Sequence, residues 1–347
     1  MSKQPRWKQK YKILKDYVAT NTEIHIDMSE ISIPEHLRDE FYKRFDDVRN
    51  AVVEACYASL PPEVDALCTN YIQSEKEITG LLGLERIELP TDLSSFLHNP
   101  KKGLVRAIYN RLFEMVQGKI TADDFERMAD ADLTASAAEL FRLGYGQWAA
   151  LSLILLLEPD GAFGVELNED YEPFVADLKE IAFGRQFPNP AKRIPEFILH
   201  SKRLDRHIAV KMPLAREVNT YYIPYEPPMK SKKQNTGDTS YVLDSRVMFL
   251  SIVPDLKKIP VFADIHARTI RGPDVMVEFL TGQDLADPGV IVKVQKRVEI
   301  MKPRLGGIIV VMNSVPGPDI VKPTGNIDTY AVGLDPLKLQ SIIDKLA

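Results

Sequence analysis

Three carboxylates at the ends of apolar runs are the side chains of this 347-residue chain best placed for chemistry. Asp264 closes the run PVFADI (260–265), Asp274 follows Pro273 at the start of the next run, and Glu278 stands four residues further on, inside VMVEFL (275–280). Carboxylates that converge at the ends of neighbouring strands bind hard divalent cations through oxygen, and a Mg²⁺ or Mn²⁺ so held can activate water against a phosphodiester. The candidate metal ligands are therefore Asp264, Asp274 and Glu278, with Asp264 and Glu278 as the catalytic acids. Lys293 or Lys296 would contact the scissile phosphate or its water. Strand alternation puts Asp274 and Glu278 on one face but leaves the direction of Asp264 open.

The other polar clusters point to phosphate contact rather than to a second catalytic centre. LHSKRLDRH (199–207), read as a helix, aligns His200, Arg203 and His207 on one face with Lys202 and Arg206 beside it, a surface suited to phosphates. Lys230, Lys232 and Lys233 in a polar loop, with Arg268 and Arg271, complete the candidate nucleic-acid contacts. His266, two residues after Asp264, reads as its hydrogen-bonded neighbour. The acidic stretch 158–172 lacks EF-hand spacing and reads as a loop. No glycine-rich dinucleotide or P-loop motif, serine-hydrolase elbow or Cys–His nucleophile pattern is present, so no nucleotide cofactor is expected.

Bulk properties bound the setting. A hydrophobic content of 45% with 27% charged residues is that of a soluble globular chain. The basic N-terminus is not followed by an apolar run, and the most apolar stretch (148–157) is too short to span a bilayer. Cys56 and Cys68 show no metal-ligand spacing, so a reducing cytoplasm is the expected compartment and no membrane partner is expected. The net charge of −5 divides into −10 over residues 1–199 and +5 over 200–347, and the basic portion suits a polyanion.

The elements that must position these residues fall into an α + α/β arrangement. An acidic, all-helical domain is expected over 1–208, available for a protein partner or a homo-oligomer. Its clearest helix follows Ser32-Ile33-Pro34-Glu35, with capping-box spacing, and places Leu37, Phe41, Phe45, Val48, Val52 and Ala55 on one face. Further helices are expected at about 99–118, 121–128, 134–157, 171–182 and 195–208. A Pro- and Lys-rich connection, 209–240, contains a short strand near Tyr221–Tyr225 and the flexible tract Lys230–Ser240. From 241 to 347 the order β-β-β-α-β-β-α is expected: strands at 247–253 and 260–265 forming a hairpin, 275–280, a helix opened by Asp287-Pro288, then 308–312, 330–334 and a terminal helix.

This order of elements, with its acids, resembles the PD-(D/E)xK nuclease-like superfamily over residues 241–347. The resemblance implies a metal-dependent endonuclease in which one strand carries an Asp and the next carries Asp or Glu, one residue, then Lys. Asp264 and Glu278 take the acidic positions in one register, with Leu280 where the family has Lys. In a second register Pro273-Asp274 leads, VIVKV (290–294) is the following strand, and Lys293 takes the place of the second acid. The alternative function is a non-enzymatic module that binds nucleic acid or protein through a degenerate nuclease-like domain.

Overall fold

A computed structural model describes residues 5–183, 192–212, 247–264, 269–312 and 325–347. The chain forms two compact units, Met1–Thr69 with Pro90–Gly144, and Asn70–Leu89 with Tyr145–Ala347.

The first unit is built from amphipathic helices. α1 (Arg6–Thr20) leads to a two-residue ladder of β1 (His25–Ile26) with β2 (Ile31–Ser32), then to α2 (Glu35–Tyr57). The stripe read from the sequence buries Phe41, Phe45, Val48 and Val52, whereas Ala55 is exposed. The capping box at Ser32 does not form, because Pro34 occupies the N-cap position and no side chain caps the first turn. α3 (Glu63–Leu82) runs from this unit into the second, which also holds β3 (Arg86–Glu88); the first unit resumes with α4 (Thr91–His98), and the helix expected at 99–118 is divided into α5 (Pro100–Leu104), a 3₁₀ turn at Val105–Ile108 and α6 (Tyr109–Val116). Asn99 caps it as expected, accepting from the backbone of Lys102. The two helices expected at 121–128 and 134–157 are one, α7 (Ala122–Leu156), since nothing from 129 to 133 breaks the backbone and Ala129 and Leu133 are buried.

The second unit contains an eight-stranded mixed sheet. Its strands are β4 (Pro159–Leu167), β5 (Pro173–Asp177), β8 (Phe197–Ser201), β9 (Arg206–Lys211), β10 (Val247–Val253), β13 (Val275–Leu280), β14 (Gly307–Val311) and β15 (Ile327–Ala331), ordered β15-β14-β13-β10-β9-β8-β4-β5. A three-stranded ribbon joins β7 (Lys192–Arg193), β11 (Ala263–Asp264) and β12 (Thr269–Ile270), and β6 (Glu180–Ala182) pairs with β3. Pairing is antiparallel from β5 to β13 and parallel from β13 through β14 to β15. Parallel neighbours need a crossover, supplied between β13 and β14 by the short α8 (Gly282–Leu285) and by α9 (Pro288–Met301), whose first turn Asp287 caps as expected. The terminal helix is a 3₁₀ turn at Pro336–Leu339 running into α10 (Gln340–Asp344).

The helical N-terminal region followed by a mixed-sheet part is the expected α + α/β class, but the strands of the large sheet begin at Pro159 rather than at 241. The helices expected at 171–182 and 195–208 and the acidic loop at 158–172 are strands β4 to β6, β8 and β9. FILH and HIAV are apolar runs too short to fix a period, and the polar turn between them lets them pair; Asp205 closes that turn in the left-handed region at φ 51°. The hairpin expected between 247–253 and 260–265 does not form. β10 instead pairs with β9 and β13, and Ala263-Asp264 pairs with β7 and β12. The second register also fails in its strand, since VIVKV lies in α9. The strand and loop expected over 221–240 lie outside the described residues.

Candidate functional site: the strand-end acids and the cationic rim

Each of the three strand acids has its own structural setting. Glu278 is fully buried in the middle of β13, and both its oxygens accept from Arg297 of α9, Nε at 2.5 Å and Nη2 at 3.0 Å. This bidentate pair lies between two apolar contacts along the same helix, Met276 with Met301 below it and Leu280 with Ile291 and Val294 above it. Leu280, at the position where the resemblance calls for Lys, is thus part of an apolar cluster with Leu285, Ile309 and Val311. The sequence did carry a sign of this arrangement: an acid inside an otherwise apolar strand, and an Arg on the buried stripe Val290, Val294, Met301 of the following helix.

Asp274 organises a strand start. Its Oδ2 accepts from the Ile252 amide at 2.7 Å and its Oδ1 from Arg304 Nε at 2.6 Å, while its own amide donates to Leu250 O. The contact with Asp274 holds the Arg304 guanidinium above its usual range, chiefly through that hydrogen bond. Asp264 sits in the separate ribbon, opposite Lys192 and Thr269. Among the described residues no group of three or more His, Cys, Asp or Glu side chains is placed to hold a metal ion. Lys293 is half-buried and Lys296 exposed, both on α9. A second buried ion pair, missed from sequence, joins Glu196 and Lys211 at 3.4 Å, with Glu196 Oε2 also accepting from the Met212 amide.

The candidate phosphate-contacting residues that are described do come together, through sheet topology rather than on a helix. Ser201 pairs with Arg206, His207 with Val253, and Leu250 with Val275, so the β8–β9 turn, the loop after β10 and the loop before β13 share one end of the sheet. The segment after α9 joins them, since Arg304 N donates to Pro273 O and Leu305 N to Asp274 O. These loops expose Lys202, Arg206, Lys257, Lys258, Arg271 and Lys302, and among the described residues none of the six is ion-paired. Arg203 pairs with Asp344 at 2.9 Å, and Arg206 donates to Leu346 O. The acids of the same loops are partly engaged: Asp274 as described, and Asp255 on the Lys257 amide. Lys230, Lys232, Lys233, His266 and Arg268 lie outside the described residues.

In the helical unit, a cleft of about 560 Å³ is lined by Trp7, Val52, Cys56, Phe125, Glu126 and Asp130 among others. Burial, and then Asp130, push the Cys56 thiol up to about 11, so it is protonated and a poor nucleophile at neutral pH. No helix among the described residues is long and apolar enough to cross a membrane. No protein-family model, curated protein or solved structure matches the chain.

Proposed function

We propose that the sheet unit is a nuclease-like α/β module that binds nucleic acid through its cationic rim and does so without a strand-end metal. The observation that carries this reading is the set of six exposed cations on four loops at one end of the sheet, none of them ion-paired among the described residues. Four adjacent strands at about 4.8 Å spacing span roughly 14 Å, a length over which duplex DNA presents about eight phosphate charges. The order of β13, the crossover helix and a parallel β14 is the one expected of the family resemblance, whereas the hairpin expected before it does not form. The environments of Glu278, Asp274 and Leu280 favour the non-catalytic form of that family over a metal-dependent endonuclease.

The test is fluorescence anisotropy with labelled duplex and single-stranded DNA and RNA, in Mg²⁺ and in EDTA. Binding should be equal in the two buffers, with no metal-dependent cleavage. Reversing Lys257, Lys258 and Arg271 to Glu together should weaken it at least tenfold while circular dichroism stays unchanged. Unaltered affinity in that variant, or no binding at 50 mM salt, about the lower end of the range over which such contacts weaken, would remove the reading.

A further inference from the structure

The β8–β9 hairpin carries a constellation that phosphate binding alone does not use. His200 and His207 are register partners on the two strands, and their rings meet edge to face with centroids 5.0 Å apart. His200 Nδ1 lies 2.5 Å from Oδ1 of Asp160, which stands at the start of β4. The hydrogen bond with His200 holds the Asp160 carboxyl below the usual carboxylate range, with Lys202 contributing. The carboxylate therefore accepts from Nδ1–H, and Nε2 is the nitrogen left for other work; the fully exposed Asp205 is 3.9 Å from it. His207 is half-buried beside Phe163, at 6.0 Å between centroids, and among the described residues neither of its ring nitrogens is hydrogen-bonded. Burial, and then the neighbouring His200, push His207 below the ordinary imidazole value, while Asp160 opposes this. Lys202, exposed, flanks the pair on the same hairpin, whereas Arg206, the register partner of Ser201, lies on the opposite strand face and donates to Leu346 O.

Two adjacent imidazoles, one oriented by a carboxylate and one held neutral, with a lysine beside them, have the components for general acid–base transfer at a phosphodiester without a metal. We propose that His200 and His207, with Asp160 as a positioning residue, form a metal-independent RNA-cleaving site. The proposal rests on the nucleic-acid reading above and names its substrate class. His207 takes the proton of a ribose 2′-hydroxyl as O2′ forms its bond to phosphorus. The bond from phosphorus to O5′ breaks, and protonated His200 gives its Nε2 proton to that leaving oxygen. Lys202 faces the charge that develops on the non-bridging oxygens. The products are a 2′,3′-cyclic phosphate and a 5′-hydroxyl. One proton has moved from O2′ to O5′, nothing is oxidised or reduced, and solvent resets the two rings. A deoxyribose strand has no 2′-oxygen and cannot react.

The experiment incubates the full chain in EDTA with three labelled oligonucleotides of one sequence: all-RNA, all-DNA, and DNA with a single ribonucleotide. His200→Gln, His207→Gln, Asp160→Asn and Asp160→Glu are compared with the parent, with circular dichroism to confirm folding and anisotropy on the DNA strand to report binding. Cleavage should occur only 3′ of a ribose, leave a cyclic phosphate, and slow as acid protonates His207. Either histidine variant should lose about a hundredfold or more in rate with DNA binding unchanged. Asp160→Asn should lower the rate, and Asp160→Glu should recover part of it. RNA that is bound but uncut, or cut equally by His207→Gln, overturns this site and leaves the nucleic-acid reading standing. Failure to bind RNA or DNA at all overturns both.

Discussion

At the residue scale, the two buried ion pairs decide how the charged side chains of the sheet unit are to be read. Taking Glu278 and Arg297 out of water is costly, and their attraction offsets that cost only while both partners and the bidentate geometry are present. Removing one leaves an isolated charge among Met276, Leu280 and Val294. Glu278→Ala should therefore destabilise the fold by about 3–5 kcal/mol, whereas Glu278→Met with Arg297→Leu should recover most of that loss. Urea denaturation of the parent and the two variants checks this; a Glu278→Ala protein as stable as the parent would show that the carboxylate is not held as described. Glu196 and Lys211 pose the same question at the end of β9, where burial is equally complete. Protonation adds a second expectation. His207 has a lowered folded value, so its neutral form is favoured in the fold. That contribution is present above the ordinary imidazole value of about 6.5 and is lost as pH falls through the lowered folded one. Thermal melts should show Tm falling from pH 7 to pH 5 (roughly the window in which imidazole titrates), and His207→Gln should reduce that part of the fall.

At the element scale, the packing between the start of β13 and the end of α9 is held by a close backbone approach at one glycine. A Cβ built on Gly272 would lie 1.7 Å from the carbonyl oxygen of Met301. Backbone cannot yield as a flexible side chain does, so Gly272→Ala should cost about 3 kcal/mol by overpacking, and should also loosen the loop bearing Arg271. Hydrogen exchange at Asp274, whose amide donates to Leu250 O, reports the loosening directly; unchanged protection there would contradict the close approach. Local signals were legible from sequence wherever one element determined its own form: the stripe of α2, the Asp287 and Asn99 caps, and the order β13, α9, β14. Long-range pairing was not. Nothing in VMFLSIV says that it pairs with 206–211 and 275–280 rather than with 260–265. FILH and HIAV suit one helix as well as two strands, because runs this short fit either period. The set His200, Lys202, Arg203, Arg206 and His207 was nonetheless legible as a cluster, since a tight hairpin, like a helix, keeps sequence neighbours together. On sequence Glu278 suits a metal ligand, because a carboxylate in a strand announces charge but does not name its partner, and that partner, Arg297, comes from the crossover helix 19 residues on.

At the scale of the whole molecule, a net charge of −5 and affinity for a polyanion are compatible only if positive charge is gathered locally, and the end of the sheet gathers it. At physiological ionic strength charges more than about 8 Å away are largely screened, so the rim rather than the overall balance governs contact. Binding by such a rim releases counterions, and the logarithm of the association constant should fall linearly with the logarithm of salt concentration, by about 0.9 per phosphate neutralised on duplex DNA. Were all six exposed cations of the rim engaged, the slope would be about −5. Neutralising one of them, whether Lys202, Lys258 or Lys302, should make the slope shallower by about 0.9, with little dependence on base sequence, because phosphate contacts position a duplex without reading it. Arg203 is different: it is already paired with Asp344, so Arg203→Ala should leave the slope nearly unchanged. A titration series from 50 to 200 mM salt, roughly the span over which such contacts weaken most, separates the outcomes. Equal decrements from cations on different loops would mean that the rim acts as one surface. If Lys202 alone carried the slope, the contact would be confined to the β8–β9 hairpin and the shared sheet end would have no part in binding.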